Sequence, residues 1–383
     1  MHVLSKLSDR QKPLAVHGKL KGKIKVIGKV PLGSRRDLSL YYTPGVGAVA
    51  SYLARHKKKT RDLTMKSNAV AVVSDGSAVL GLGNIGPEAA IPVMEGKALI
   101  FRRFAEIDAF PIVLKTQDAR EIIEIVRNIA PVFGGINLED IAAPKCFEIE
   151  ESLQKVLDIP VVHDDQDSAA IAILAGLINA FKVVRKNMRE SKIVVIGAGA
   201  AGSAIARLLV FYGAKHILVL DRKGIIHKWR VGLSSMKRTL ARITNRKNES
   251  GSLTQAMRNA DAVVGVSRKG ILKADHIRCM NTKPIVFALS NPIPEIMPWE
   301  AKRAGAFITA TGRPDFKNQV NNALVFPGLF RGAIDHRVRL ITYTHQVRAA
   351  KNLAALVRNP TPSFIVPTVF NKRVVRAVAS AIR

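Results

Sequence analysis

Apolar and polar positions follow one rhythm in the first half of the chain and another in the second. Near the start, Pro44-Gly45 marks a turn, and residues 46–55 read as a helix after it. Residues 69–73 are an unbroken apolar run with strand composition, followed by the turn Asp75-Gly76 and a second short apolar run at 78–80. That pair gives the region a hairpin character. Pro87 opens a helical segment carrying Glu95 and Lys97, and residues 110–114 read as a strand. In 119–129, Ile122, Ile123, Val126 and Ile129 share one helical face. A strand at 134–138 runs into Glu139-Asp140, a helix covers 148–157, and 160–162 is a strand leading into His163-Asp164-Asp165-Gln166-Asp167-Ser168.

Beyond Ser168 the rhythm changes. A long apolar helix runs to about Val184, and the stretch 169–180 is too short to cross a bilayer, so it reads as buried. Apolar strands at 193–196, 217–220, 262–266, 285–289 and 307–310 then alternate with helices. Such spacing predicts a parallel, doubly wound sheet. The expected fold class is α/β.

Composition narrows this picture. Nearly half of the 383 residues are apolar, which suffices for full cores and two domains. Two cysteines, Cys146 and Cys279, form no disulfide framework and fit a reducing compartment, so the expected location is cytoplasmic with no membrane partner. With 60 Lys+Arg against 29 Asp+Glu, the net charge is +31. The cations are spread over the whole chain, without interleaved aromatics or zinc-finger spacing, so nucleic acid is not the expected partner.

Two GxGxxG runs occur, at 81–86 and 197–202. A dinucleotide site needs a strand before the glycines, a helix N-terminus after them, and an acid closing the next strand. The second run, Gly197-Ala198-Gly199-Ala200-Ala201-Gly202, meets all three demands, with Asp221 lying 19 positions after Gly202. The first run fails, and its glycines are expected to let the backbone pass close to another element or a substrate. Asp221 favours NAD, because a carboxylate repels a 2′-phosphate, whereas Arg222 beside it could hold that phosphate and admit NADP. Ligands lie beyond the carboxyl ends of parallel strands; Ser290-Asn291-Pro292 ends one of them. Asn291 is therefore either a ligand contact or part of an Asn-Pro turn.

Residues 137–168 hold nine of the 29 acids, which marks them in so basic a chain. Hard divalent cations want several oxygen ligands, so the acid pairs Glu139-Asp140 and Asp164-Asp165 read as a magnesium or manganese site or as solvated turns. Lys97, set among apolar residues, reads as a base with a lowered pKa or as a snorkelling lysine. Tyr42, beside its Pro-Gly turn, reads locally as an ordinary half-buried tyrosine.

Taken together, Tyr42-Thr43-Pro44-Gly45-Val46, "VVSDGSAVLGLGNIGPEAAIPVMEGKALIF", "FGGINLEDIAAPKCFEIEE", "HDDQ", "GAGAAG", "ALSNPIPEIMP" and "ATGRPDFKNQVNNALVFPGLFRGA" resemble the malic enzyme family in its compact prokaryotic form. The resemblance implies oxidative decarboxylation of (S)-malate to pyruvate and carbon dioxide with NAD or NADP. It implies Glu139, Asp140 and Asp165 as ligands of Mg2+ or Mn2+, Lys97 as the base, and Tyr42 as the acid that protonates the enolate. Asn291 and the pair Asn321-Asn322 match substrate-contacting positions, and Gly197, Gly199, Ala200, Ala201, Gly202, Asp221, Arg222 and Asn291 match cofactor-binding ones. The implied plan is an N-terminal α/β substrate domain (1–162), a doubly wound Rossmann-type NAD(P)-binding domain (163–335), and a C-terminal helical segment (336–383) returning to the N-terminal part. A homodimer acting on a small molecule is expected.

One departure stands out. The family continues HDDQ with His-Gly-Thr-Ala, and this chain has Asp167-Ser168-Ala169-Ala170. A third carboxylate should raise neighbouring pKa values, and a lost glycine matters where φ is positive. Two rival readings remain at this point: a dehydrogenase for another 2-hydroxy acid, and a catalytically weakened relative that binds nucleotide or polyanion.

Overall fold

The computed structural model describes Ser8, residues 11–79 and residues 81–383. Two parallel sheets organise the chain. The first contains β1 (Ala69–Ser74), β2 (Asp108–Val113), β3 (Gly135–Leu138) and β4 (Val161–His163) in the order β2-β1-β3-β4, all parallel. The second contains β5 (Lys192–Ile196), β6 (His216–Asp221), β7 (Gly224–Ile225), β8 (Ala262–Gly265), β9 (Ile285–Ala288) and β10 (Ile308–Thr311) in the order β10-β9-β8-β5-β6-β7. Only the short β7 runs antiparallel there. β1 and β3 are buried along their whole length, as strands covered on both faces must be.

The hairpin expected after Asp75 does not form. Val79 makes one antiparallel bridge to Gly83, and Leu80 lies outside the described residues. The turn at Gly81 instead meets the other half of the molecule: a β-carbon there would fall 1.9 Å from the Asn291 carbonyl oxygen. The first glycine run thus permits a close backbone approach. β2 begins at Asp108, two residues before the expected strand.

The helix Asp164–Val184 joins the two sheets. It has the length and hydropathy of a membrane span, but 72% of its most apolar window is buried inside the fold. It packs on the Ala200–Tyr212 helix and on the C-terminal helix Tyr343–Ala355. The main core runs continuously through it, from Val70, Met94 and Phe101 in the first half to Val195, Phe287 and Ile308 in the second. The segment after 335 therefore docks mainly on this central helix and on the Phe326–Asp335 helix, where Gly328 and Gly332 leave room for Val378 and Ile382. Its ties to the N-terminal part include Arg339 bonds to the carbonyls of Leu157, Gln154 and Lys155, an Arg337–Asp62 ion pair and an edge contact of Phe370 on Phe104.

Residues 35–55 differ from the rest. The helices Arg35–Tyr41 and Gly45–Arg55 pack on each other and have no buried residue.

Candidate active site

The carboxyl ends of both sheets open onto one cavity of about 810 Å3. In the first sheet the switch point lies at β1 and β3, and in the second at β5 and β8, where ligands bind in open α/β sheets.

β3 and β4 pair in register, Ile136 with Val161 and Leu138 with His163. The residues that follow each strand are therefore neighbours: Glu139 and Asp140 after β3, Asp164 and Asp165 after β4. One carboxylate oxygen each from Glu139, Asp140 and Asp165 lies within 4.8 Å of the other two. Asp140 adopts a left-handed φ of 53°, a conformation that costs a non-glycine residue energy and clusters at functional sites. Its carbonyl accepts from the Ala78 N–H at 2.9 Å, and its N–H donates to Asp165 Oδ2 at 3.1 Å. Asn137 Nδ2 donates to Glu139 Oε2 at 2.9 Å. Asp164 and Asp165 occupy the first turn of the central helix, where the positive end of the helix dipole favours anions. Three converging oxygens of hard-ligand type, two from buried residues, fit a magnesium- or manganese-sized cation.

Lys97 projects from the helix Pro87–Ala105 into the same place and is 7% exposed. Its ammonium lies 2.8 Å from Glu139 Oε1 and 2.5 Å from Asp164 Oδ2, and 4.2 Å from the centre of the Phe326 ring. Burial alone would pull this lysine's pKa down, but Asp164 and Glu139 outweigh it and hold the ammonium above its ordinary value. Glu139 is pushed well up by burial, against the pull of Lys97. Asn322 Nδ2 also donates to Asp164 Oδ2, while Asn321 turns its Oδ1 back onto the Ala323 N–H. Both line the cavity. Among the described residues the hydrogen bonds of Asp164 come from Lys97 and Asn322, not from the neighbouring His163.

The second glycine run closes the other wall. Gly199, Ala200, Ala201 and Asn291 line the cavity. A β-carbon at Gly197, where φ is 112°, would lie 2.5 Å from the Val266 oxygen, and one at Gly202 would lie 1.8 Å from the Gly197 oxygen. The Gly197 N–H donates to the Leu220 carbonyl, placing the turn beside the end of β6 and Asp221. Asp221 is gripped by Arg230 and, at 2.6 Å, by Lys237. Burial would raise its carboxyl, but these two cations overcome that and bring it to about 2. Neither cation was apparent from the sequence; Arg222 is exposed beside them.

Other supports lie within the quoted stretches but have no role assigned by the sequence. Glu295 is fully buried, and its carboxylate accepts from the N–H groups of Ser267 (2.8 Å) and Ser290 (3.0 Å), tying together the ends of β8 and β9. Gly265 makes room for it: a β-carbon would lie 2.7 Å from Glu295 Cδ. Asp75, also fully buried, pairs with Lys145 at 2.5 Å and accepts from Ser77, whose hydroxyl in turn accepts from the Ala142 N–H beside the acid cluster.

Four expectations are corrected. Lys97, read as a base with a lowered pKa, is instead held above its ordinary value, because Asp164 and Glu139 outweigh its burial. Tyr42 does not reach the cavity in this chain: it caps the Arg35–Tyr41 helix and is 64% exposed. Its short helical hairpin lies apart from the core, so nothing carries the ring inward. Ser168 needs no glycine, because it sits fully buried in helical conformation within Asp164–Val184. Asp167 does not join the three acids. It turns towards Glu150 and accepts from Gln346 Nε2 at 2.9 Å, and burial raises its carboxyl to about 6.

Comparison with known proteins agrees with this geometry. The malic enzyme NAD-binding domain matches residues 166–383, and the malic enzyme N-terminal domain matches 21–121 and 116–154. The chain belongs to the malic enzyme family. It is 50% identical over 363 residues to the NAD-dependent malic enzyme of Geobacillus stearothermophilus, covering 94% of this chain and 76% of the relative. Identity is 48% to the bifunctional malic/malolactic enzyme of Bacillus subtilis, covering 98% and 92%. The crystal structure of the NAD-dependent malic enzyme of Thermotoga maritima superposes with a TM-score of 0.93 at 48% identity, covering 96% of this chain and 98% of that one. Relatives named as NADP-dependent malic enzymes match as well. Like its family, the chain is an oxidoreductase that decarboxylates malate with NAD or NADP.

Proposed function

We propose that this cavity carries out the whole conversion of (S)-malate to pyruvate and carbon dioxide, with Lys97 as base. The observation that carries the reading is the juxtaposition, in one cavity, of Lys97, the three converging carboxylates and the dinucleotide glycine turn. A divalent cation held by Glu139, Asp140 and Asp165 would neutralise these acids and polarise the C2 oxygen of malate. With a cation drawing charge from Glu139, Lys97 would release its extra proton, and its free amine could then take the C2-hydroxyl proton as hydride passes to a nicotinamide; Gly199-Ala200-Ala201 would hold the cofactor's pyrophosphate, and Ser290 and Asn291 line the cavity. Asp164 and the Phe326 ring fix the direction of the ammonium, and Asn322 fixes Asp164. Asn291, Asn321 and Asn322 supply amide groups to the substrate. Loss of carbon dioxide leaves an enolate that a general acid protonates at C3.

That acid is Tyr42, supplied by a second copy of the chain in a homodimer. Supporting this, the hairpin that carries Tyr42 exposes Leu38, Leu40, Tyr41, Val46, Val49 and Tyr52, and buries nothing. An apolar, two-helix face of this kind needs a partner. A cytoplasmic location is the reading that the free thiols support. The test is turnover of malate by the wild type beside Lys97→Ala, with NAD and NADP and with and without Mn2+. Activity that survives the Lys97 substitution would contradict the assignment.

A further inference from the structure

Malate brings two carboxylates into a cavity whose lining is already acidic. Among the described residues, that lining contains Glu139, Asp140 and Asp165 against two cations, Lys97 and Lys23. Lys97 is committed to Glu139 and Asp164. Among the described residues, no carboxylate side chain holds the Lys23 ammonium. It follows the helix Gln11–Leu20, is half-buried, and is anchored by its backbone, whose N–H donates to Glu95 Oε2 at 3.3 Å. The ammonium itself donates to the Pro92 carbonyl at 2.6 Å.

This places Lys23 over the face of the helix that also carries Lys97. Pro92 and Gly96 lie one turn apart on it, and both line the cavity. A β-carbon at Gly96 would come 3.6 Å from the Lys23 ammonium. Proline and glycine are the two residues that weaken a helix interior most, and neither stands out into the space beneath Lys23. The ammonium uses one of its three N–H donors on Pro92. Two remain for a ligand at the mouth of the cavity, and a carboxylate is the acceptor that gives an ammonium a charge-assisted hydrogen bond.

We propose that Lys23 binds a carboxylate of the substrate and so helps select a small dicarboxylate. The proposal rests on the reading of the cavity as the malate site, and deepens it. Lys23 contributes to binding rather than to bond making, so its removal acts on KM more than on kcat.

The experiment compares wild type, Lys23→Ala and Lys23→Arg by steady-state kinetics and by calorimetric titration of malate into the Mn2+-loaded protein. Lys23→Ala should raise the malate KM and Kd at least tenfold, with the dinucleotide KM and the melting temperature little changed; Lys23→Arg should restore most of the loss. Unchanged malate affinity in Lys23→Ala overturns the proposal. So does an equal loss for malate and dinucleotide with a lowered melting temperature, which would make Lys23 a chain anchor only. Lys23-dependent malate binding without turnover in the wild type would overturn the reaction proposed above and leave this contact standing. A wild type that binds no malate overturns both.

Discussion

Lys97 and Asp164 stand 67 positions apart in the chain, yet the lysine ammonium lies 2.5 Å from the aspartate Oδ2 with both side chains buried. Removing one partner of a buried ion pair leaves the other charge uncompensated, a change of roughly 3–5 kcal/mol where nothing relaxes. Asp164→Asn should lower kcat by about ten- to a hundredfold, that is about 1.4–2.7 kcal/mol of barrier, and should lower the denaturation midpoint. Kinetics and urea unfolding check this. Full activity in Asp164→Asn would mean that Lys97 needs no such orientation.

The proposal of a partner-supplied acid has a sharp genetic test. Lys97→Ala and Tyr42→Phe should each be inactive alone. Co-expressed, they form mixed dimers in which one of two sites holds both wild-type residues. With random pairing about half the dimers are mixed, so activity should return to about a quarter of wild type. If Tyr42 acts within its own chain, the mixture stays inactive.

Cation binding can be read without turnover. Asp165→Asn should weaken Mn2+ binding on the order of a hundredfold, since a proposed ligand would be lost outright and supporting groups alone are worth 10- to 100-fold. Calorimetry of the purified variant measures it. Chelation of the wild type should abolish turnover, and added Mn2+ or Mg2+ should restore it.

Asp167 gives a pH prediction of definite sign. Its carboxyl is raised by burial from 3.8 to about 6. The folded protein therefore holds this proton where the unfolded chain has released it, and stability falls as pH rises through that window. Asp167→Asn carries no charge at any pH. Its stability relative to wild type should improve between about pH 4 and about pH 7, measured by thermal unfolding at both. A constant difference would place the titration elsewhere.

Much of the second sheet was legible because its strands are apolar runs spaced by helices. Residues 217–220 were expected, and β6 spans His216–Asp221 with Asp221 at its end. The first sheet was less so, since the apolar trio at 78–80 resembles a strand, whereas Val79 makes one bridge to Gly83 and the chain at Gly81 passes against Asn291. The three-acid cluster could be suspected from composition, but its assembly depends on the β3–β4 register, which joins positions 25 apart. Lys23, Arg230 and Lys237 are single charged residues outside the quoted motifs, and only tertiary packing brings them to the site; Glu295 lies inside one of those motifs, but nothing in the sequence shows that it ties two strand ends together. Tyr42 was named by resemblance, and its distance from the cavity reflects a hairpin that its own chain does not cover.

The central claim meets its most direct test in one assay: absorbance of reduced nicotinamide, with pyruvate and carbon dioxide measured in the same vessel. Wild-type protein given malate, Mn2+ and either NAD or NADP should form reduced cofactor, pyruvate and carbon dioxide in equal amounts, and none without the cation. Reduction with another 2-hydroxy acid and none with malate, or reduced cofactor formed without carbon dioxide, would contradict it.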